Sequence, residues 1–259
     1  CTMEKCKLCL QEKQLIAKSH IIPDFMYEEL YDDNHKIRVV PASEFGKVKP
    51  RIKMPSSGEY EGGLLCSDCD NKLLGGYENY ARKAIYGGAL RDSECPECDN
   101  FKSQDGVKFT LCKKINYHKF KIFLLSVLWR ASISKRALFD QINLGPHEEV
   151  LRKMIYEGNP GKVDDYPLYF MTYVNDKDVS TDIIGHPKQI RIKSGHRAYT
   201  FLIGGIFYMY MVNSSDHTLP DYIIKSTIRP SDEMTIYHIP KGKGWEIMLS
   251  YFGLIKANI

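Results

Sequence analysis

Apolar positions follow three rhythms along the chain. Phe120, Phe123, Leu124, Val127, Leu128, Ala131 and Leu138 recur at near-helical spacing in a segment free of Pro and Gly, which predicts a buried helix. A second helix is written by its ends. Pro146 follows Leu144-Gly145 and suits a first helical position, Glu148 and Glu149 occupy the first turn, Arg152 and Lys153 come later, and Gly158 is a stop. From Tyr166 onward, short runs rich in Tyr, Ile, Phe, Val and Thr are separated by turn signals such as Asn175-Asp176, Ser194-Gly195, Asn213-Ser214 and Arg229-Pro230. That rhythm predicts strands over residues 168–174, 189–193, 199–212, 222–228 and 234–239. Earlier in the chain the pattern breaks into short loops, with one helical face formed by Leu73, Leu74, Tyr77, Ala81 and Ile85. The expectation is an α+β protein in three zones: a loop-rich module over residues 1–115, a helical connector over 116–160, and an antiparallel β-rich module of unknown role over 161–259.

Composition narrows the class. With 259 residues, 43% hydrophobic and 26% charged, the chain is globular and of a size that suits two modules. Its net charge of +4 cannot coat a polyanion, so any contact with nucleic acid must be a local site. The longest apolar stretch, residues 199–212, is broken by Gly204 and Gly205 and falls short of the roughly 20 residues a membrane span requires. The opening Cys1-Thr2-Met3-Glu4-Lys5 carries no apolar leader run, from which we expect a cytoplasmic protein and no membrane partner.

Cysteine spacing supplies the first chemistry. Six of the eight cysteines form three Cys-x-x-Cys pairs. Cys6-Lys7-Leu8-Cys9 and Cys66-Ser67-Asp68-Cys69 can each bend two thiolates around one ion, and together they complete the tetrahedral set that a structural Zn²⁺ favours. The 56 residues between the pairs form a substantial loop, where function should sit. The third pair, Cys95 and Cys98, could build a second zinc site with Cys112 and His118, or serve as a redox dithiol, although no βαβ pattern surrounds it.

Between the two knuckles runs Ser19-His20-Ile21-Ile22-Pro23, and the second knuckle leads directly into the helical face beginning at Leu73. The order of knuckle, strand with histidine, loop, knuckle and helix resembles the zinc-bearing branch of the HNH endonucleases, in the His-Me finger (ββα-metal) superfamily. The resemblance covers roughly residues 4–85. It implies metal-dependent hydrolysis of phosphodiester bonds in DNA, or in RNA, in a setting similar to bacterial restriction or phage defence. His20 matches the general base. Asp70, directly after the last knuckle cysteine, matches the residue that binds a catalytic Mg²⁺ or Mn²⁺, and Glu61 falls near the family's middle catalytic asparagine. Asn71 and Glu78 are further candidate oxygen ligands, although Glu78 is also placed for an i,i+4 pair with Arg82. The chain departs from the pattern where Ser19 replaces an aspartate, where Asp70 replaces a histidine, where Lys72 stands one place early, and in its long 23–63 loop. The chemistry is coherent in itself: a neutral imidazole near pKa 6.5 accepts a proton from water, and a hard cation on a carboxylate offsets phosphate charge.

Lys47, Lys49, Arg51 and Lys53 alternate with small or apolar residues inside the long loop. On a strand they would share one face, suited to phosphate oxygens or equally to a solvated edge strand. Trp129-Arg130 reads as core packing with a cationic edge, and the aromatics of residues 199–210 as period-two burial. The expected partner is nucleic acid, DNA first, with the C-terminal module available to a protein partner or a second copy. The rival reading is a binding or scaffold protein, a catalytically inactive zinc finger that holds nucleic acid or another protein.

Overall fold

A computed structural model of the chain describes residues 3–37, 49, 51, 53–87, 90, 94–192, 194–212 and 218–253. It has a mixed α+β architecture with a helical middle and a seven-stranded sheet. The first knuckle sits in the hairpin of β1 (Glu4–Lys5) and β2 (Glu12–Lys13). A second hairpin pairs β3 (Ser19–His20) with β4 (Tyr60–Glu61), in the register Ser19 to Glu61 and His20 to Tyr60. Pro23 leads from β3 into a 3₁₀ turn, Asp24–Leu30, which buries Met26, Tyr27 and Leu30. The second knuckle runs without a break into a π-helical stretch, Asp68–Leu74, and then into α1 (Gly75–Tyr86).

The helical middle is α2 (Tyr117–Ile133) and α3 (His147–Glu157). Asn116 caps α2 by accepting the Lys119 amide at 2.9 Å. Pro146 opens α3 and Gly158 closes it with φ at +65°, a left-handed conformation that glycine adopts without strain. Both ends agree with the sequence. Nearly all of α2 is buried, Arg130 included, which therefore lies inside the core and not at a cationic edge.

The sheet comprises β5 (Glu97–Lys102), β6 (Lys108–Lys113), β7 (Leu168–Thr172), β8 (Lys188–Arg191), β9 (Arg197–Ile203), β10 (Ile206–Met211) and β11 (Met234–His238). Its spatial order is β5-β6-β11-β7-β10-β9-β8. Every neighbouring pair is antiparallel except β11 with β7, which run parallel, a correction to the wholly antiparallel expectation. Two strands of this sheet, β5 and β6, come from the cysteine-rich part of the chain before residue 116.

Two further expectations need correction. The apolar run 199–212 is not one strand but the hairpin β9–β10, because Gly204 and Gly205 take φ values of +59° and +77° that fold the chain back on itself. Residues 222–228 do not form a strand. Pro220 and Asp221 instead open a short helix, α4 (Asp221–Ser226). One more helix, α5 (Gly244–Tyr251), lies near the end.

Side chains alternate across the sheet. On one face Leu168, Phe170, Phe201, Tyr208 and Tyr210 join the largest apolar cluster, together with most of α2 and with Cys6, Ile21 and Leu65 of the knuckle region. The other face carries two smaller clusters, Leu202 and Phe207 with Met248 and Tyr251 of α5, and Ala198 and Met211 with Ile223 of α4. No helix among the described residues is long and apolar enough to cross a membrane.

Candidate functional site

The two knuckles converge. The Sγ atoms of Cys6, Cys9, Cys66 and Cys69 lie within 4.8 Å of one another, the one group of three or more metal-ligating side chains among the described residues. Local backbone explains how. Leu10 adopts φ of +61°, and its amide bonds the Cys6 carbonyl at 2.9 Å, closing a tight turn. The Cys66 carbonyl accepts the amides of both Cys69 and Asp70, at 3.1 and 3.0 Å, so the second turn becomes the helix start. Lys7 and Ile16 reach across to the carbonyls of Leu64 and Leu65, each at 2.9 Å, which fixes one knuckle against the other.

Four thiolates so close cannot all ionise without a cation. The Cys6 thiol is pulled down to about 4, first by its hydrogen bond with Cys69, whereas Cys69 is pushed far up by that same bond and by burial. Burial also raises Cys9. A divalent ion removes this conflict. Tetrahedral zinc with bonds of about 2.3 Å needs sulfurs roughly 4 Å apart, and Cys9 and Cys66 lie 4.0 Å from each other. The donor set fits structural zinc.

The third pair does something different. Cys98 and Cys112 face each other across β5 and β6, with Cα atoms 4.1 Å apart, and form a disulfide. Those two sulfurs are thereby withdrawn from any metal site. Cys95 is a free thiol, and His118 meets the carbonyl of Gly158.

His20 and Asp70 lie on separate elements of the region that holds the four-cysteine cluster. Ser19 is buried and donates to Asp70 Oδ1 at 2.6 Å, which ties the histidine strand to the start of the helix. Asp70 has its carboxyl raised, first by burial, and Glu78 pushes the same way. The Ser19 hydrogen bond, Arg130 and His20 oppose the shift. His20 has its side chain about one-third exposed, and its Nε2 lies 3.7 Å from Asp24 Oδ1, which takes the Tyr31 hydroxyl at 2.7 Å. Asp24 follows His20 by four residues, and Pro23 between them is the signal that a helical turn brings the two together.

Arg130 organises the rest. Its Nη1 donates to the His20 carbonyl at 2.8 Å and to Glu78 Oε1 at 2.7 Å, so α2 grips both the histidine strand and α1. Glu78 therefore pairs with Arg130, while Arg82 pairs with Glu28 at 3.2 Å. A second buried arginine, Arg152 of α3, donates to the Leu8 carbonyl inside the first knuckle at 2.6 Å and is oriented by Glu149. Sequence reasoning missed both anchors. Their signal was a cation set within a helix that packs against the core, Arg130 among Leu128, Trp129 and Ala131 and Arg152 beside Leu151.

The remaining candidates are placed as follows. Glu61 turns its Oε2 to the Ser134 hydroxyl at 2.7 Å and the Lys135 amide at 2.8 Å. Asn71 donates to Ser67 Oγ at 3.0 Å in an exposed position. Lys49, Arg51 and Lys53 are exposed, and Lys47 lies outside the described residues. Comparison of the chain with models of protein families, with curated proteins and with solved structures gives no match.

Proposed function

We propose that the chain is a metal-dependent endonuclease of the HNH type that hydrolyses phosphodiester bonds in DNA or RNA, with zinc bound by Cys6, Cys9, Cys66 and Cys69 as a structural staple. One observation carries the reading. A histidine strand and an acid at the start of the following helix stand side by side at a four-cysteine cluster, joined through Ser19 and Asp70 at 2.6 Å. His20 is assigned to accept the proton of the attacking water, with Asp24 Oδ1 3.7 Å from its Nε2. Arg130 holds the backbone of the base, so the imidazole is aimed by a buried helix and not by a loop. Mg²⁺ is commonly held by one or two carboxylates plus substrate phosphate, so Asp70 suffices as its anchor, with Glu78 committed to Arg130. Bound there, such an ion would neutralise charge on the phosphate and the leaving oxygen.

The test is incubation with plasmid DNA and with tRNA in Mg²⁺ or Mn²⁺, beside a chelated control and the His20→Ala protein. We expect divalent-dependent cutting that falls at least 100-fold in His20→Ala, with zinc content and melting unchanged. Undiminished cutting by that variant would remove the assignment. The second reading is a zinc-stapled binding module for nucleic acid or protein. It is favoured by Ser19, which supplies a hydroxyl where a second carboxylate would serve a metal. Binding of either probe with no cleavage under any of these conditions would select it.

A further inference from the structure

Three cationic or imidazole side chains from two distant segments of the chain gather on one aromatic ring. The ring is Tyr60 of β4, half-buried and directly opposite His20 in the hairpin register. The His20 ring centroid lies 6.1 Å away, edge-on. The Lys18 ammonium stands 4.8 Å from the Tyr60 centroid, and the Arg136 guanidinium carbon stands 5.7 Å from it. Lys18 immediately precedes β3, and both it and His20 meet the Tyr60 ring. Arg136 comes from the loop after α2.

The arrangement is built and not a chance of long side chains. Arg136 Nε donates to the Tyr60 carbonyl at 2.9 Å, leaving its two terminal nitrogens for another acceptor. Glu61 supplies the bracket. It accepts from Ser134 and Lys135, and Ser134 in turn accepts the Arg136 amide at 3.1 Å, so the loop is clamped to β4 with Arg136 over Tyr60. Of the carboxylates flanking the hairpin, Asp24 and Glu61 already accept hydroxyl or amide donors, whereas Glu59 beside Tyr60 is exposed. Lys18 and Arg136 are both exposed, and among the described residues neither is ion-paired with a carboxylate. Two cations held by a ring beside a candidate general base have one obvious complement, a strand of phosphodiesters running past His20.

We propose that Lys18 and Arg136, gathered with His20 around the Tyr60 ring, form the contact that seats the phosphodiester backbone of a nucleic acid at the site. This rests on the nuclease reading for its ligand class, but it is a claim about binding and stands or falls on binding. It also gives Glu61 a task other than catalysis, that of positioning the Arg136 loop.

The test uses the full zinc-loaded chain without added Mg²⁺ or Mn²⁺, and fluorescein-labelled 20-nucleotide probes as duplex DNA, single-stranded DNA and single-stranded RNA, read by anisotropy across a salt series. Lys18→Gln with Arg136→Gln should weaken binding of the preferred probe at least ~10-fold and lower the slope of log affinity against log salt by about two. Lys153→Gln with Lys177→Gln, an identical change in net charge at two exposed lysines elsewhere, should change affinity less than ~3-fold. Arg136→Lys keeps the charge and should retain most of the binding. Equal weakening by the two glutamine pairs, or no binding of any probe by the unaltered chain, overturns the proposal. Cleavage is scored separately: selective loss of binding in a chain that never cuts leaves this contact standing and removes the nuclease reading.

Discussion

The same Cys-x-x-Cys spelling produces two different outcomes in this chain, and the backbone around each decides which. At residues 6–9 and 66–69 the pairs sit in tight turns, so both sulfurs of a pair face one point and two pairs make a four-sulfur cluster. At residues 95–98 the chain passes from a bend at Cys95 into β5 at Glu97, so of the two cysteines only Cys98 lies on the strand. Only Cys98 can then meet Cys112, its register partner on β6. Spacing alone proposes ligands, but the turn geometry, with Leu10 at positive φ and a carbonyl shared by Cys69 and Asp70, selects them.

That contrast can be broken by mutation. The largest effect is expected at the knuckles. Cys66→Ser, or a strong zinc chelator, should remove about one zinc per chain and cost well over ~3 kcal/mol, enough to unfold the hairpins that carry His20. Metal analysis with thermal melting checks this, and intact melting without zinc would contradict it. The disulfide should matter less. Cys98→Ser with Cys112→Ser opens a cross-link between residues 14 apart, worth about 3 kcal/mol at most, and should leave zinc content unchanged. A drop in bound zinc in that double variant would mean the third pair holds metal, and the distinction would collapse.

A smaller effect concerns Asp70, whose position the second knuckle fixes. Its raised carboxyl binds a proton more readily folded than unfolded, so it contributes stability below about pH 4 that is lost as pH rises through the raised value. Asp70→Asn should therefore melt higher than the unaltered chain at neutral pH, with the gap closing in acid. Ser19→Ala removes the hydrogen bond that opposes the shift, and should move the acid limb of any Asp70-dependent cleavage to higher pH. A limb that stays fixed or moves down would show that Ser19 does not tune this acid.

Much of this architecture is legible in the amino-acid sequence. The four-cysteine cluster follows from spacing, α3 from its proline and glycine, and β7 and β11 from aromatic and β-branched runs. What was not legible depended on partners remote in sequence. The run at 222–228 has strand-like composition, yet Pro220 sets a helical entry and Ile223 packs on Ala198 and Met211, so a local turn outweighed propensity. The resemblance implies a catalytic place for Glu61, and only the fold brings its carboxylate to the Ser134 hydroxyl and the Lys135 amide. Lys18 and Arg136 carry no shared motif, and only the fold makes them neighbours of one ring.

The reach of Arg130 has a consequence for portability. Because a side chain rooted in α2 props up the carbonyl of His20 and the head of Glu78, the stretch from Met3 to Gly87 does not contain all of its own scaffolding. A fragment cut before Asn116 could keep its four sulfurs and still let the imidazole wander. Grafting this segment onto another carrier would require transplanting the strut along with it.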